Sequence, residues 1–396
     1  MADISKIKVF AVIGAGTMGR EIAQVALMAG FEKVILNDIK HNVLKNAVLY
    51  IKNGLKKLES KGKLNQDLTT DFLMSNLIEE LDLIKTVENA DFIVEAIPEI
   101  MALKQDIFKK LGRHAPEHSV LATNTSTMSI SKIAEGCSRP NKVVGMHYFI
   151  PIPVLRLIEV IKGKKTSEET MEITISVGQN LPCIRGKRFI ARIEKECPGF
   201  IVNRLNIASG AYLNWVLDEA MKKGIPWERL DADVEDLQEL GPCARLDYLG
   251  LDTVYNTSKY FEEVLSPDFA PSKALTKLVH EGNLGKKTGK GFYEWTENGN
   301  PVIHKAEKAN LIDLDLFMAF QLNEGCRLLE EGIVSGYKVI DDTMLAGMSM
   351  PGPFGPGKRN YKKWSKLLED FVKKSGKEYF KPCELMKSGR FVKMRK

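Results

Sequence analysis

The sequence predicts an α/β fold: a doubly wound, mostly parallel sheet followed by an all-α region of two repeated helical domains. Three observations carry that prediction. Within the first 38 residues a buried-strand run, a glycine-rich turn and an amphipathic helix succeed one another. Strand and helix patterns then alternate to about residue 196. After "CPGFIVNRL" (197–205) the strand rhythm stops and helical periodicity takes over.

A chain of 396 residues exceeds what one core holds, so several domains are expected: 1–196, 197–298 and 299–396. The 44% hydrophobic and 27% charged fractions are those of a globular protein. A net charge of +6, with acids and bases interspersed, gives no sign of nucleic-acid binding and suits an anionic small molecule. Six scattered cysteines form no CxxC and no Cys/His cluster, which reads as reduced thiols in a cytoplasmic protein without a metal site. No apolar run reaches ~18 residues, so no membrane span is expected. The N-terminus enters a strand at once, without signal-peptide architecture.

The opening stretch is "IKVFAVIGAGTMGREIAQVALMAGFEKVILND" (7–38). Residues 7–13 are apolar and β-branched, as a buried parallel strand requires. Gly14, Gly16 and Gly19 follow in GxGxxG spacing, then Ile22, Ala23, Ala26 and Leu27 at helical spacing. The first glycine permits the tight turn, the second the approach of a pyrophosphate, and the third the packing of helix on strand. The helix start at Thr17 and Met18 offers free N–H groups to phosphates. Asp38 closes the second strand, where a carboxylate binds the adenosine ribose and repels a 2′-phosphate. This is a Rossmann-type site for NAD, favoured over NADP.

The rhythm continues through "ADFIVEAIP" (90–98), "HSVLATNTST" (118–127) and "NKVVGMH" (141–147). Ligands of such sheets lie at the carboxyl ends of strands. Glu95, the Asn124–Ser126 loop and His147 all fall there. A proton acceptor at such a strand end should titrate near neutrality, which favours histidine. In "GMHYFIPIPVLRLIEV" (145–160), Glu159 follows His147 by twelve residues, and a strand returning antiparallel after "IPIP" brings the carboxylate back to the imidazole. Such a carboxylate fixes the tautomer and stabilises the imidazolium. Other readings coexist for several residues. Ser126 suits a helix N-cap, Asn203 a bridge between elements, Glu99 and Lys104 a surface pair, and Lys61 a solvated face. The other five histidines have no such context and read as surface residues.

Taken together, "GAGTMG", "VEAIPE", "TNTSTMSI", "GMHYFIPIPVLRLIEVI", "CPGFIVNRL" and "GKKTGKGFYEW" resemble the L-3-hydroxyacyl-CoA dehydrogenases, colinearly over residues 7–296. The resemblance implies NAD-dependent oxidation of the 3-hydroxyl of an acyl-CoA, in β-oxidation or its reverse. It implies His147 as general base, Glu159 as its partner, and Ser126 and Asn203 holding the substrate oxygen and the histidine. Asp38, Glu99, Lys104 and Asn124 would line the NAD site, and Lys61 would meet CoA phosphates. Three departures bear on substrate preference. Ile150 stands where the family has Asn or Ser, Gly54 where some members have a CoA-contacting serine, and Cys243 and Ala244 where it has Phe and an acid.

The helical half contains a faint repeat. "YLNWVLDEAMKKG…ERLDADVEDLQELGP" from Tyr212 parallels "QLNEGCRLLEEG…KVIDDTMLAGMSMPGPF" from Gln321. It reads as a duplicated C-terminal domain, joined by the polar segment 295–310. Such a chain is a monomer with an internal pseudo-dimer, or a homodimer. Two rival functions stay open: a related dehydrogenase of a non-CoA hydroxyl substrate of gulonate or carnitine type, and a non-catalytic dinucleotide-binding protein.

Overall fold

The computed structural model describes residues 2–64, 67–235 and 240–394. The chain folds as two compact units, residues 1–202 with 331–352, and residues 203–330 with 353–396.

The first unit is built on one sheet. Its elements are β1 (Val9–Ile13), α1 (Thr17–Met28), β2 (Lys33–Asn37), α2 (His41–Ser60), α3 (Thr70–Ser75), β3 (Leu77–Glu80), α4 (Leu83–Val87), β4 (Phe92–Glu95), α5 (Met101–His114), β5 (Val120–Thr123), α6 (Ile130–Ile133), β6 (Val143–Tyr148), β7 (Leu157–Ile161), α7 (Glu168–Asn180) and β8 (Phe189–Ile193). Among the described residues the strands form one eight-stranded sheet in the order β3-β2-β1-β4-β5-β6-β7-β8. All neighbours are parallel except β6 and β7. The order reverses beside β1, which opens the ligand crevice of a doubly wound sheet over the strand ends. β4 and β5 are buried throughout, as central strands of a parallel sheet are. Phe10 on β1 stacks on Phe92 of β4 at 5.4 Å between ring centres. Each such side chain contributes roughly 1.5–3 kcal/mol by leaving water.

The second unit begins at Asn203 in α8 (Val202–Lys223) and continues through α9 (Trp227–Ala232), α10 (Pro242–Leu249), α11 (Leu251–Val264), α12 (Lys273–His280) and α13 (Leu314–Glu330). The chain then returns to the first unit for α14 (Tyr337–Met348), before α15 (Phe354–Ser375) and α16 (Glu384–Ser388) complete the second. Tyr212, Phe320, Phe371 and Phe380 form its aromatic centre, with ring distances of 4.7–6.5 Å. Arg204 and Glu324 form a buried ion pair within it.

These units cut across the boundaries expected at 197 and 299. Residues 197–202 stay with the sheet, because the Ile201 and Val202 N–H groups donate to Glu159 on β7. Residues 331–352 join it as well: the Ile333 carbonyl accepts from Glu194 N–H, and α14 lies on β7 and β8 with Gly347 against Leu157. The expected linker begins later than position 295, since Trp295 is buried and its Nε1 donates to Asp247.

The proposed repeat has matched contacts. Asn214 Oδ1 accepts from Ser272 N–H, the N-cap of α12, and Asn323 Oδ1 accepts from Cys383 N–H, the N-cap of α16. Gly241 and Gly352 each precede a proline, and a Cβ on either would collide with Asp231 or Asp341. The acidic stretch 236–239 of the expected first copy lies outside the described residues.

Candidate active site

The turn after β1 is built by close contact. Gly14 has φ +96°, and a Cβ there would lie 2.6 Å from the Ala96 carbonyl oxygen. A Cβ on Gly19 would lie 1.7 Å from the Gly14 carbonyl oxygen, so only glycine lets α1 sit this close to the strand. Gly16 caps α1 without a side-chain acceptor, and the first-turn N–H groups of Thr17, Met18 and Gly19 have no intrahelical partner. Asp38 follows β2, with its carboxylate accepting from Ala15 N–H at 3.0 Å and Lys40 N–H at 2.9 Å. An uncapped helix start beside a fixed carboxylate fits the pyrophosphate and ribose of a dinucleotide.

A buried network ties the ends of β4, β5 and β6. Glu95 is fully buried and accepts from Lys104 Nζ at 2.5 Å, Thr123 Oγ1 at 2.7 Å and Ile97 N–H at 2.8 Å. Lys104 reaches Glu99 at 3.2 Å. Glu99 in turn accepts from Thr125 Oγ1 and Ser126 N–H. Lys104 and Glu99 are therefore not the surface pair that their charge suggested, since Lys104 is 1% exposed. Ser126 is not the helix cap either. Ser129 holds that place, accepting from Lys132 N–H at the start of α6. Asn124 Oδ1 accepts from Tyr148 N–H, joining this loop to the strand of His147.

His147 and Glu159 stand directly opposite each other in the antiparallel β6–β7 pair. Nδ1 of His147 lies 2.7 Å from Glu159 Oε2. The other oxygen, Oε1, accepts from Ile201 and Val202 N–H, both at 3.1 Å. Glu159 is fully buried and His147 is 6% exposed. A carboxylate so deep is tolerated because three donors meet it. Being an acceptor, it holds the ring hydrogen on Nδ1 and leaves the Nε2 lone pair free. Phe149 and Phe200 flank the ring at 4.4 and 5.8 Å. Phe200 has φ +54°, a conformation disfavoured for a bulky residue, and it aligns the next two N–H groups on Glu159.

The structure brings Asn124, Ser126, Glu99, Lys104, His147 and Glu159 to one edge of the sheet. Lys61 is exposed at the C-cap of α2. Asn203 belongs to the second unit. The five other histidines are exposed. Sequence reasoning missed the Phe149 and Phe200 rings and the two backbone donors to Glu159. The adjacency of "CPGF" to a buried strand was the available signal. Of the departures, Ile150 is 48% exposed, and a Cβ on Gly54 would meet Gln24 Oε1 at 2.7 Å. Cys243 and Ala244 are packing positions at the start of α10: their N–H groups donate to Asp231 on α9. Burial, reinforced by Asp231, pushes the Cys243 thiol well up. Among the described residues no helix is long and apolar enough to cross a membrane, and no group of His, Cys, Asp or Glu is arranged for a metal ion.

Residues 9–187 match the model for the 3-hydroxyacyl-CoA dehydrogenase NAD binding domain, and 199–295 that of the C-terminal domain of the same family. The chain is 36% identical over 304 residues to the mitochondrial hydroxyacyl-coenzyme A dehydrogenase of Sus scrofa, covering 73% of this chain and 91% of that protein. It is 32% identical over 417 residues to the fatty acid oxidation complex subunit alpha of Shewanella baltica, covering 98% of this chain and 56% of that one. Its structure is similar to the crystal structure of 3-hydroxybutyryl-CoA dehydrogenase from Escherichia coli, with a TM-score of 0.83 and 25% identity over 98% of each chain. The chain belongs to the 3-hydroxyacyl-CoA dehydrogenase family, NAD-dependent oxidoreductases acting on CH–OH groups.

Proposed function

We propose that this chain interconverts an L-3-hydroxyacyl-CoA and the 3-ketoacyl-CoA, with His147 as general acid–base and Glu159 as its partner. The observation that carries the reading is the buried His147–Glu159 pair, 2.7 Å apart on β6 and β7. NAD, when bound, supplies the hydride acceptor. The chain supplies the rest. Nε2 of His147 takes the hydroxyl proton as C3 loses its hydride, and returns it in the reverse direction. Glu159 stabilises the imidazolium and prevents the wrong tautomer, by a mechanism worth several kcal/mol in comparable dyads. Gly14, Gly16, Thr17, Met18 and Gly19 hold the pyrophosphate, Asp38 the ribose, and Asn124, Glu99 and Lys104 shape the nicotinamide side.

Ser126 is assigned to the substrate oxygen. Asn203, which directly follows Val202 in the chain, is assigned with it on the strength of the resemblance. Lys61 is assigned to CoA phosphate, since it is exposed and makes no ion pair among the described residues. The segments 197–298 and 299–396 are read as copies of one helical domain, supported by the paired Asn214/Asn323 and Asp231/Asp341 contacts. The second copy would let the chain act as a monomer with an internal pseudo-dimer, or assemble as a homodimer. Free cysteines suit a cytoplasmic setting.

The test compares acetoacetyl-CoA with free acetoacetate as acceptors for NADH. Turnover of the CoA ester at least ~100-fold more efficient than of the free acid supports the reading, since that ratio corresponds to about 2.7 kcal/mol of binding drawn from CoA. Equal rates would move the chain to the non-CoA branch, the direction in which Ile150 and Gly54 point.

A further inference from the structure

Glu21 is a buried carboxylate that the reaction as described leaves without a task. It lies in the first turns of α1 and is 3% exposed. Carboxylates are seldom buried so completely unless donors meet them. Two do, each from an element remote in sequence. Tyr50 Oη on α2 donates to Oε1 at 2.9 Å, and Ile152 N–H donates to Oε2 at 2.6 Å. The Arg20 guanidinium lies 3.8 Å from the centre of the Tyr50 ring and holds that ring in place. Burial and the bond to Glu21 push the Tyr50 hydroxyl up, which keeps it a donor.

Ile152 is fully buried and lies in the loop that leaves β6 immediately after His147 and Tyr148. The same loop is held at its start, where Tyr148 N–H donates to Asn124 Oδ1 at 3.0 Å. Between these two fixed points lie Phe149, whose ring is 4.4 Å from the imidazole, and Ile150, which is 48% exposed. Phe149 can hold the imidazole only as well as its own backbone is held. One end of that backbone depends on Glu21.

We propose that Glu21 is a positioning residue for the reaction: the Tyr50–Glu21–Ile152 clamp fixes the Phe149–Ile150 loop and so the direction of the His147 ring. This rests on the reading of His147 as the acid–base residue. Glu21 itself touches no reacting atom. It acts through Phe149, and a misalignment on the ångström scale is enough to lower turnover steeply.

The test uses the full chain with NADH and acetoacetyl-CoA, in wild type, Glu21→Ala, Glu21→Gln and Tyr50→Phe. Measured are kcat, KM, NADH affinity and the isotope effect with NADH deuterated at the transferred position. Glu21→Ala is expected to lower kcat about 10–100-fold with NADH affinity unchanged, and to raise the isotope effect as hydride transfer becomes limiting. Glu21→Gln, whose amide oxygen still accepts from Ile152 N–H, is expected to restore most of the rate. Tyr50→Phe should fall between. A merely structural Glu21 would lower the melting temperature and leave kcat and the isotope effect alone, which overturns the proposal. If Glu21→Ala does not fold, Tyr50→Phe decides: a wild-type kcat with a wild-type isotope effect overturns the clamp. Wild-type protein that does not turn over acetoacetyl-CoA contradicts the proposed function instead. The clamp is then read from amide hydrogen exchange across 149–153, which Tyr50→Phe should accelerate roughly tenfold. An unchanged exchange rate overturns it.

Discussion

Replacing Glu159 by glutamine changes one atom and should nearly abolish activity. The reason lies in which oxygen the amide keeps. Oε1 accepts two backbone N–H groups, from Ile201 and Val202, and an NH2 group cannot take that place. The glutamine oxygen therefore stays on the backbone and its NH2 faces His147 Nδ1, 2.7 Å away in the wild type. Nδ1 becomes an acceptor, the ring hydrogen moves to Nε2, and the atom that must take the substrate proton already carries one. A wrong-tautomer defect of this kind costs about 10³–10⁴ in kcat, or roughly 4–5.5 kcal/mol of transition-state stabilisation. Folding should survive, because two of the three donors to the side chain remain satisfied. The assay is steady-state NADH oxidation with acetoacetyl-CoA, alongside NADH affinity by fluorescence and the ring ¹⁵N spectrum. The predicted result is intact NADH binding, a ring hydrogen moved from Nδ1 to Nε2, and kcat down by at least about a thousandfold. A loss under tenfold with the same NMR change would refute the reasoning that tautomer control is Glu159's role.

Three further outcomes are expected. Gly19→Ala places a methyl 1.7 Å from the Gly14 carbonyl oxygen, so α1 must move. Stability should drop by about 1–3 kcal/mol or more and NADH affinity should collapse, as a titration with NADH and a thermal melt will show. Lys104→Met leaves Glu95 buried beside no cation and should cost roughly 3–5 kcal/mol, read from the denaturation midpoint, while adding Glu95→Gln should recover part of it. Asp315 is held below its ordinary value of 3.8 by hydrogen bonds from Lys363 and then Trp364. Its folded pKa lies below its unfolded one, so its contribution is full above that ordinary value and is lost as pH falls through the folded pKa. The melting-temperature gap between wild type and Asp315→Asn should therefore be constant near neutrality and close in acid.

Much of the first unit is legible because local and global signals agree. The run 7–13, the three glycines and Asp38 state a strand, a turn and a carboxylate at a fixed spacing, and packing adds nothing that contradicts them. The His147–Glu159 register is legible for the same reason, since a turn between two apolar strands leaves few pairings that bury both. What resists reading is polar burial. Lys104 is one of several charges on an amphipathic helix, and its acid partner Glu95 ends a strand nine residues earlier; only the fold brings them together. Glu21 and Tyr50 fail in the same way, each looking like the solvated face of its own helix. Ser126 and Ser129 are both good caps by composition, and the choice falls to the helix start that the Glu99 contact leaves available. The return of residues 331–352 to the sheet carries no local mark at all, because α14 is an ordinary amphipathic helix whose partner, β7 with β8, lies far back in the chain.

The most direct test of the central claim is NADH oxidation with acetoacetyl-CoA by wild type and His147→Ala, with NADH binding followed by fluorescence. The account predicts turnover by the wild type, and a loss of at least about 10²–10⁴-fold in the variant while NADH binds as before. A variant that keeps its rate within about tenfold, or a wild type that binds NADH tightly and reduces no acyl-CoA, would contradict it.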